Sequence, residues 1–112
     1  MGLDENAKLA LKELQVALKS LYDPTPPRLM VYGSYIRRQA TEASDLDVLL
    51  LYPSTMIQPG RKIARLSAVL ANLNLRYQVL ISIVPATEED YRLASGSFWS
   101  NVRKEGFLVE AI

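Results

Sequence analysis

The residues with the most chemical content in this 112-residue chain are Gly33-Ser34 and, after ten further residues, Asp45-Leu46-Asp47 at the head of an apolar run. Side chains alternate across a β-strand, so Asp45 and Asp47 are expected to present two carboxylates side by side on one face. Two adjacent carboxylates repel, and a hard divalent cation, Mg²⁺ or Mn²⁺, would cancel that cost. A glycine after a strand lets the backbone turn tightly and approach a ligand, while the serine hydroxyl and the amides opening the next helix donate to phosphate oxygens. Metal and phosphate sites would then face each other, as needed when a nucleoside triphosphate is held as its metal complex and one phosphorus is attacked in line. Each half alone is commonplace, since Gly-Ser after a strand is usually only a turn and acids at a strand entrance are often just solvated. Together, four fixed positions of residue types at roughly 5–7% frequency match by chance on the order of once in a thousand chains of this length.

The elements that must position these residues follow from periodicity. Ala7, Leu11, Leu14, Leu18 and Leu21 form one stripe of an amphipathic helix between Asp4 and Tyr22, which Asp23-Pro24-Thr25-Pro26-Pro27 terminates. Leu29 to Tyr32 reads as a buried strand ending at Gly33-Ser34, and Leu46 to Tyr52 as a nearly fully buried strand ending at Pro53. Beyond a loop containing Gln58-Pro59-Gly60, Ile63, Leu66, Leu70 and Leu73 predict a helix that stops at Asn72 to Asn74. Tyr77 to Val84, ending before Pro85, predicts a third strand. Thr87-Glu88-Glu89-Asp90 has the pattern of a capping box with Asp in the third position, and Ser97 is the expected cap of a last helix. That helix should turn Phe98, Trp99 and Val102 inward and stop at Gly106, leaving Phe107 to Ile112 as an extended apolar tail. This order predicts an α/β (α+β) fold, a small mixed β-sheet with helices packed on it, and a single domain over 1–112.

Composition narrows the chemistry. With no Cys and no His, the chain offers no thiol nucleophile, disulfide, His-based serine triad or Cys/His zinc site, so oxygen-ligand metal chemistry is what remains. A formal charge of +1 gives no general nucleic-acid or membrane-surface signature, so an anion site must be local. The start lacks a signal-peptide pattern and no apolar stretch approaches the roughly 18 residues of a membrane span, which predicts a cytoplasmic protein with no membrane partner. Arg61, Lys62 and Arg65 read as a solvated helix face, and Tyr91, Phe98 and Trp99 as packing residues rather than base-stacking platforms, because no basic groove surrounds them.

The segment from Gly33 to Val48 resembles the signature of the minimal nucleotidyltransferases of the DNA polymerase β-like superfamily, with Gly-Ser, ten residues, Asp-x-Asp, an Arg at Arg37 and a Ser at Ser44. The resemblance extends less specifically along most of the chain, including Asn101-Val102-Arg103-Lys104-Glu105-Gly106. It implies the polymerase β-like fold, with Asp45 and Asp47 as catalytic metal ligands and Gly33, Ser34 and Arg37 as substrate-binding residues for the triphosphate. Arg37 has the alternative of pairing with Glu42, and Arg38 stands where many relatives have Gly. The superfamily often adds a third carboxylate on a later strand, but the third strand here offers only neutral Gln78 and Ser82. Glu88, Glu89 and Asp90 read as helix-capping acids. The resemblance further implies ATP as substrate, Mg²⁺ (or Mn²⁺) as cofactor, and transfer of AMP to a hydroxyl of a partner. Stand-alone domains of this kind, the MntA-type antitoxins, are commonly encoded beside a helical HEPN toxin whose tyrosine they modify. An RNA acceptor and a binding-only antitoxin or scaffold of the same fold are the alternatives.

Overall fold

The computed structural model describes residues 5–23, 25–33, 45–53 and 61–111, and the elements run α1 (Glu5–Leu21), β1 (Arg28–Tyr32), β2 (Leu46–Tyr52), α2 (Arg61–Tyr77), β3 (Ile81–Thr87), α3 (Glu88–Leu93), α4 (Ser97–Glu105) and β4 (Phe107–Leu108), then a 3-10 turn at Val109–Ala111. The four strands form one mixed sheet in the order β3-β2-β1-β4. β1 runs antiparallel to β2 and to β4, whereas β2 and β3 are parallel, joined through α2. The α/β expectation of a small mixed sheet with helices packed on it therefore describes the molecule.

Both faces of the sheet are covered, which is why β2 is apolar at every position except Asp47. Leu46, Val48, Leu50 and Tyr52 point to one face, where they pack with Ala7, Leu11, Leu14 and Leu18 of α1 and Leu66 and Leu73 of α2. Burying each such Leu stabilises by roughly 1.5–3 kcal/mol, so the α1 stripe alone fixes that helix on the sheet. An exposed bridge from Arg76 to Glu13 (2.7 Å) joins α2 to α1 across the same layer. Leu49 and Leu51 point the other way and meet Met30, Ala86 and Val102, flanked by Tyr91 and Trp99 of the short helices. Arg103 ties those helices together, its guanidinium donating to the carbonyls of Tyr91 and Ala94, both at 2.9 Å.

Several boundaries differ from the sequence reading. α2 runs past Asn74 to Tyr77, because Tyr77, one turn after the buried Leu73, still packs against the same core, and it ends with Gln78 in the left-handed region (φ 53°). The Val79 amide donates to the Asn74 carbonyl at 3.2 Å, the six-to-one bond of a Schellman cap, and the Asn74 side chain accepts from the Ile81 amide at 3.0 Å. β3 consequently starts at Ile81 rather than Tyr77 and continues through Pro85 to Thr87, which an edge strand tolerates because it needs ladder bonds on one side only. The capping box forms as read, with Thr87 Oγ1 accepting from the Asp90 amide (3.0 Å) and Asp90 Oδ2 from the Thr87 amide (3.4 Å). Ser97 is not a cap: Gly96 occupies that position with φ 108° and no side-chain bond, and Ser97 begins α4. The apolar tail is extended only at Phe107 and Leu108, which pair with Val31 and Met30 before the 3-10 turn.

Candidate functional site

The end of the sheet where β1 finishes and β2 begins holds the acids. The antiparallel register sets Tyr32 opposite Asp47, so the turn at Gly33 lies beside the Asp47 side chain. Gly33 has φ +84°, a conformation L-residues rarely adopt, and a Cβ built there would collide with Asp47 Oδ2 and lie 3.3 Å from its Cγ. Only glycine allows both the turn and the approach of the carboxylate. Asp47 shares the face of Leu49 and Leu51, since residues 46, 48, 50 and 52 belong to the opposite core. Asp45 precedes the strand by one residue, and the next residue is anchored by the Leu46 amide donating to the Leu80 carbonyl at 2.7 Å. Both aspartates are half-buried. Ser34 and Arg37 lie outside the described residues, as does Glu42.

Asp47 also opens onto a cleft of about 200 Å³ lined by Tyr32, Gly33, Phe98, Asn101, Val102 and Glu105. Burial, and secondarily the charge of Asp47, pushes the Tyr32 phenol above its ordinary pKa. Residues 98, 101, 102 and 105 sit at helical spacings of three, one and three, so one face of α4 forms the wall of this cleft. Phe98 is thus not the inward packing residue the sequence suggested: it is 41% exposed, whereas Val102 is 1% exposed and Trp99 is half-buried. The parts of the cleft that the motif does not announce are Tyr32, Asn101 and Glu105. The three-and-four spacing along α4 was the available signal, and it is the same spacing that a core face shows.

The parallel register places Ser82 of β3 beside Asp47, on the same face and half-buried. A carboxylate next to the acid pair is therefore missing on β3, as its sequence implied. Glu88 to Asp90 lie beyond the far end of that strand, roughly 20 Å away at about 3.3 Å per residue. Glu88 pairs there with Arg28 (3.1 Å) and Asp90 caps α3. Arg65 is exposed, in keeping with a solvated face, while the Arg61 and Lys62 side chains lie outside the described ones. No group of three or more acids, Cys or His clusters around a common point among the described residues.

The donor set suits magnesium bound in part by its substrate. Mg²⁺ keeps several waters and takes one or two protein carboxylates together with phosphate oxygens, and Asp45 and Asp47, two residues apart, would supply that number. No described helix is long and apolar enough to cross a membrane.

The comparisons bear on family and fold. Residues 11–97 match the family model for the nucleotidyltransferase domain. A relative from Methanocaldococcus jannaschii named "Putative protein adenylyltransferase MJ0604" is 31% identical over 105 residues, covering 93% of this chain and 98% of its own length. Among solved structures, a toxin-antitoxin complex with AMP-PNP superposes with a TM-score of 0.58 at 20% identity, over 91% of this chain and 71% of that one. A second, described as a "putative nucleotidyltransferase" from Sulfolobus solfataricus, gives a TM-score of 0.53 at 17% identity, over 96% of this chain and 89% of that one. At those identities the two structures speak to the fold, whereas the family model and the archaeal relative speak to descent: this chain belongs to the nucleotidyltransferase domain family.

Proposed function

We propose that this nucleotidyltransferase moves AMP from ATP to a hydroxyl of a partner protein, the tyrosine of a HEPN toxin, and thereby acts as its antitoxin. The observation that carries the reading is the contact between the Gly33 turn and the Asp47 carboxylate, with Asp45 two residues before Asp47, as expected if a phosphate cradle is to meet a pair of metal-binding acids. The name of the archaeal relative supports a protein acceptor, and the toxin-antitoxin neighbour with AMP-PNP supports ATP and the antitoxin setting.

In this reading Asp45 and Asp47 hold Mg²⁺, which when bound supplies Lewis acidity toward the phosphate oxygens. Gly33 lets the backbone close on the outer phosphates, the Ser34 hydroxyl donates to them, and Arg37 offsets their charge. The acceptor oxygen forms a bond to the α-phosphorus, the bond to pyrophosphate breaks, and the hydroxyl proton passes to solvent. Transfer of label from α-phosphate-labelled ATP to the purified partner should need Mg²⁺ and disappear in Asp47→Ala. A second reading has a specific observation in its favour, the neutral Ser82 beside Asp47. In it the chain is a binding-only antitoxin, and inhibition of the partner survives Asp47→Ala undiminished with no label transferred.

A further inference from the structure

We propose that the α4 wall of the cleft is the nucleobase site, with the Phe98 ring stacking on the base and the Asn101 carboxamide bonding its edge. The inference rests on the nucleotide-binding reading above and adds which residues recognise the base. Three features of the cleft lead to it. It is continuous with Asp47 and Gly33, so any nucleotide held there reaches it. At about 200 Å³ it is below the roughly 300–1,000 Å³ of pockets that enclose a whole drug-sized ligand, so it takes one part of the nucleotide.

The third feature is the aromatic wall itself. Phe98 is held edge-on by Tyr32 (centroids 5.5 Å apart, 83° between planes) and by Trp99 (5.2 Å, 90°), yet remains 41% exposed. A ring fixed by two neighbours and still open is pre-organised for stacking, because no rotamer freedom is lost on binding. Asn101 follows one turn later on the same helix face, and a carboxamide pairs in bidentate fashion with the N6 and N7 edge of adenine.

Binding of Mg·ATP, Mg·GTP and Mg·tripolyphosphate to the full chain, measured by calorimetry, tests this. Phe98→Leu keeps apolar volume without a π-face and should weaken both nucleotides about 5- to 150-fold, the range of one lost stacking contact, while leaving tripolyphosphate within twofold. Phe98→Tyr should restore affinity, and Asn101→Ala should lower the ATP-to-GTP ratio. Unchanged nucleotide affinity in Phe98→Leu overturns the base site; if Asp47→Asn meanwhile weakens Mg·ATP, the metal and phosphate reading stands without it. An Asp47→Asn variant that binds Mg·ATP as well as the parent would instead bring down the reading on which this site rests. A raised KM for the protein acceptor in Phe98→Leu, at unchanged ATP affinity, assigns the cleft to the acceptor and overturns the proposal as well.

Discussion

Replacing Gly33 by alanine separates two costs that the structure lets us size independently. The first is conformational: φ +84° costs an L-residue roughly 1–2 kcal/mol, of which about 0.4–1 is recovered because alanine stiffens the unfolded chain. The net of about 1 kcal/mol corresponds to a fall in Tm of roughly 4 °C for a domain of this size. The second cost is local, since the new methyl occupies the place of Asp47 Oδ2 and the carboxylate must retreat by on the order of 1 Å. A misplacement of that size is worth on the order of a hundredfold in rate. Gly96→Ala is the matched control, for Gly96 has φ +108° with nothing within 4 Å of a built Cβ, so it carries the backbone strain alone. Scanning calorimetry and Mg²⁺-dependent transfer of AMP should show both variants losing stability and only Gly33→Ala losing activity. Equal activity in the two would refute the claim that the glycine exists to admit Asp47.

Gln78 holds a left-handed conformation at the end of α2, so Gln78→Gly should raise stability by about 0.5–1 kcal/mol in urea unfolding at unchanged activity. Thr87→Ala removes one half of the capping box of α3 and should cost about 1 kcal/mol by the same measurement. Burial, and then the 3.0 Å hydrogen bond with the Tyr22 hydroxyl, raises the Tyr52 phenol pKa above its ordinary value. The unfolded chain therefore loses that proton first, so the linked stability is complete below about pH 10 and declines as pH rises above it; Tyr52→Phe should flatten this alkaline limb of a Tm-against-pH curve. The hydrogen bond from Tyr77 and the charge of Arg76 hold the Glu13 carboxyl below its ordinary value. Its contribution is present above the normal carboxylate range and vanishes as pH falls through the lowered pKa, and Glu13→Gln should remove that acid-side dependence.

The parts of this fold that were legible share one property, that a local rule and the tertiary environment asked for the same thing. β2 is apolar because both of its faces are covered, the α1 stripe matches one sheet face, and Thr87 to Asp90 satisfy their own amides. The misread boundary between α2 and β3 is a place where they disagreed. Asn72 and Asn74 look like a helix end, but Tyr77, packed against the same core as Leu73, carries the helix on, and a glutamine rather than a glycine takes the left-handed position. Pro85 looked like a stop because nothing local reveals that β3 lies at the sheet edge. At the site, the spacing of Gly33, Asp45 and Asp47 was visible because one strand pair aligns them. The α4 wall was hidden, since Phe98, Asn101, Val102 and Glu105 repeat with the period of a core face and only packing decides that Val102 alone of them is buried.

The edge position of β3 has a consequence for how this protein behaves once unfolded. From Tyr77 to Thr87 the chain carries no charged side chain, and Leu80 and Val84 stay exposed in the native state at 56% and 36%. Such a stretch lacks the gatekeeper charges that discourage lateral β-pairing, with Pro85 as its one interruption. Chains released by heat can stack through this segment before α2 re-forms ahead of it, which makes thermal denaturation dependent on concentration and scan rate and makes dilute, cold refolding the productive route.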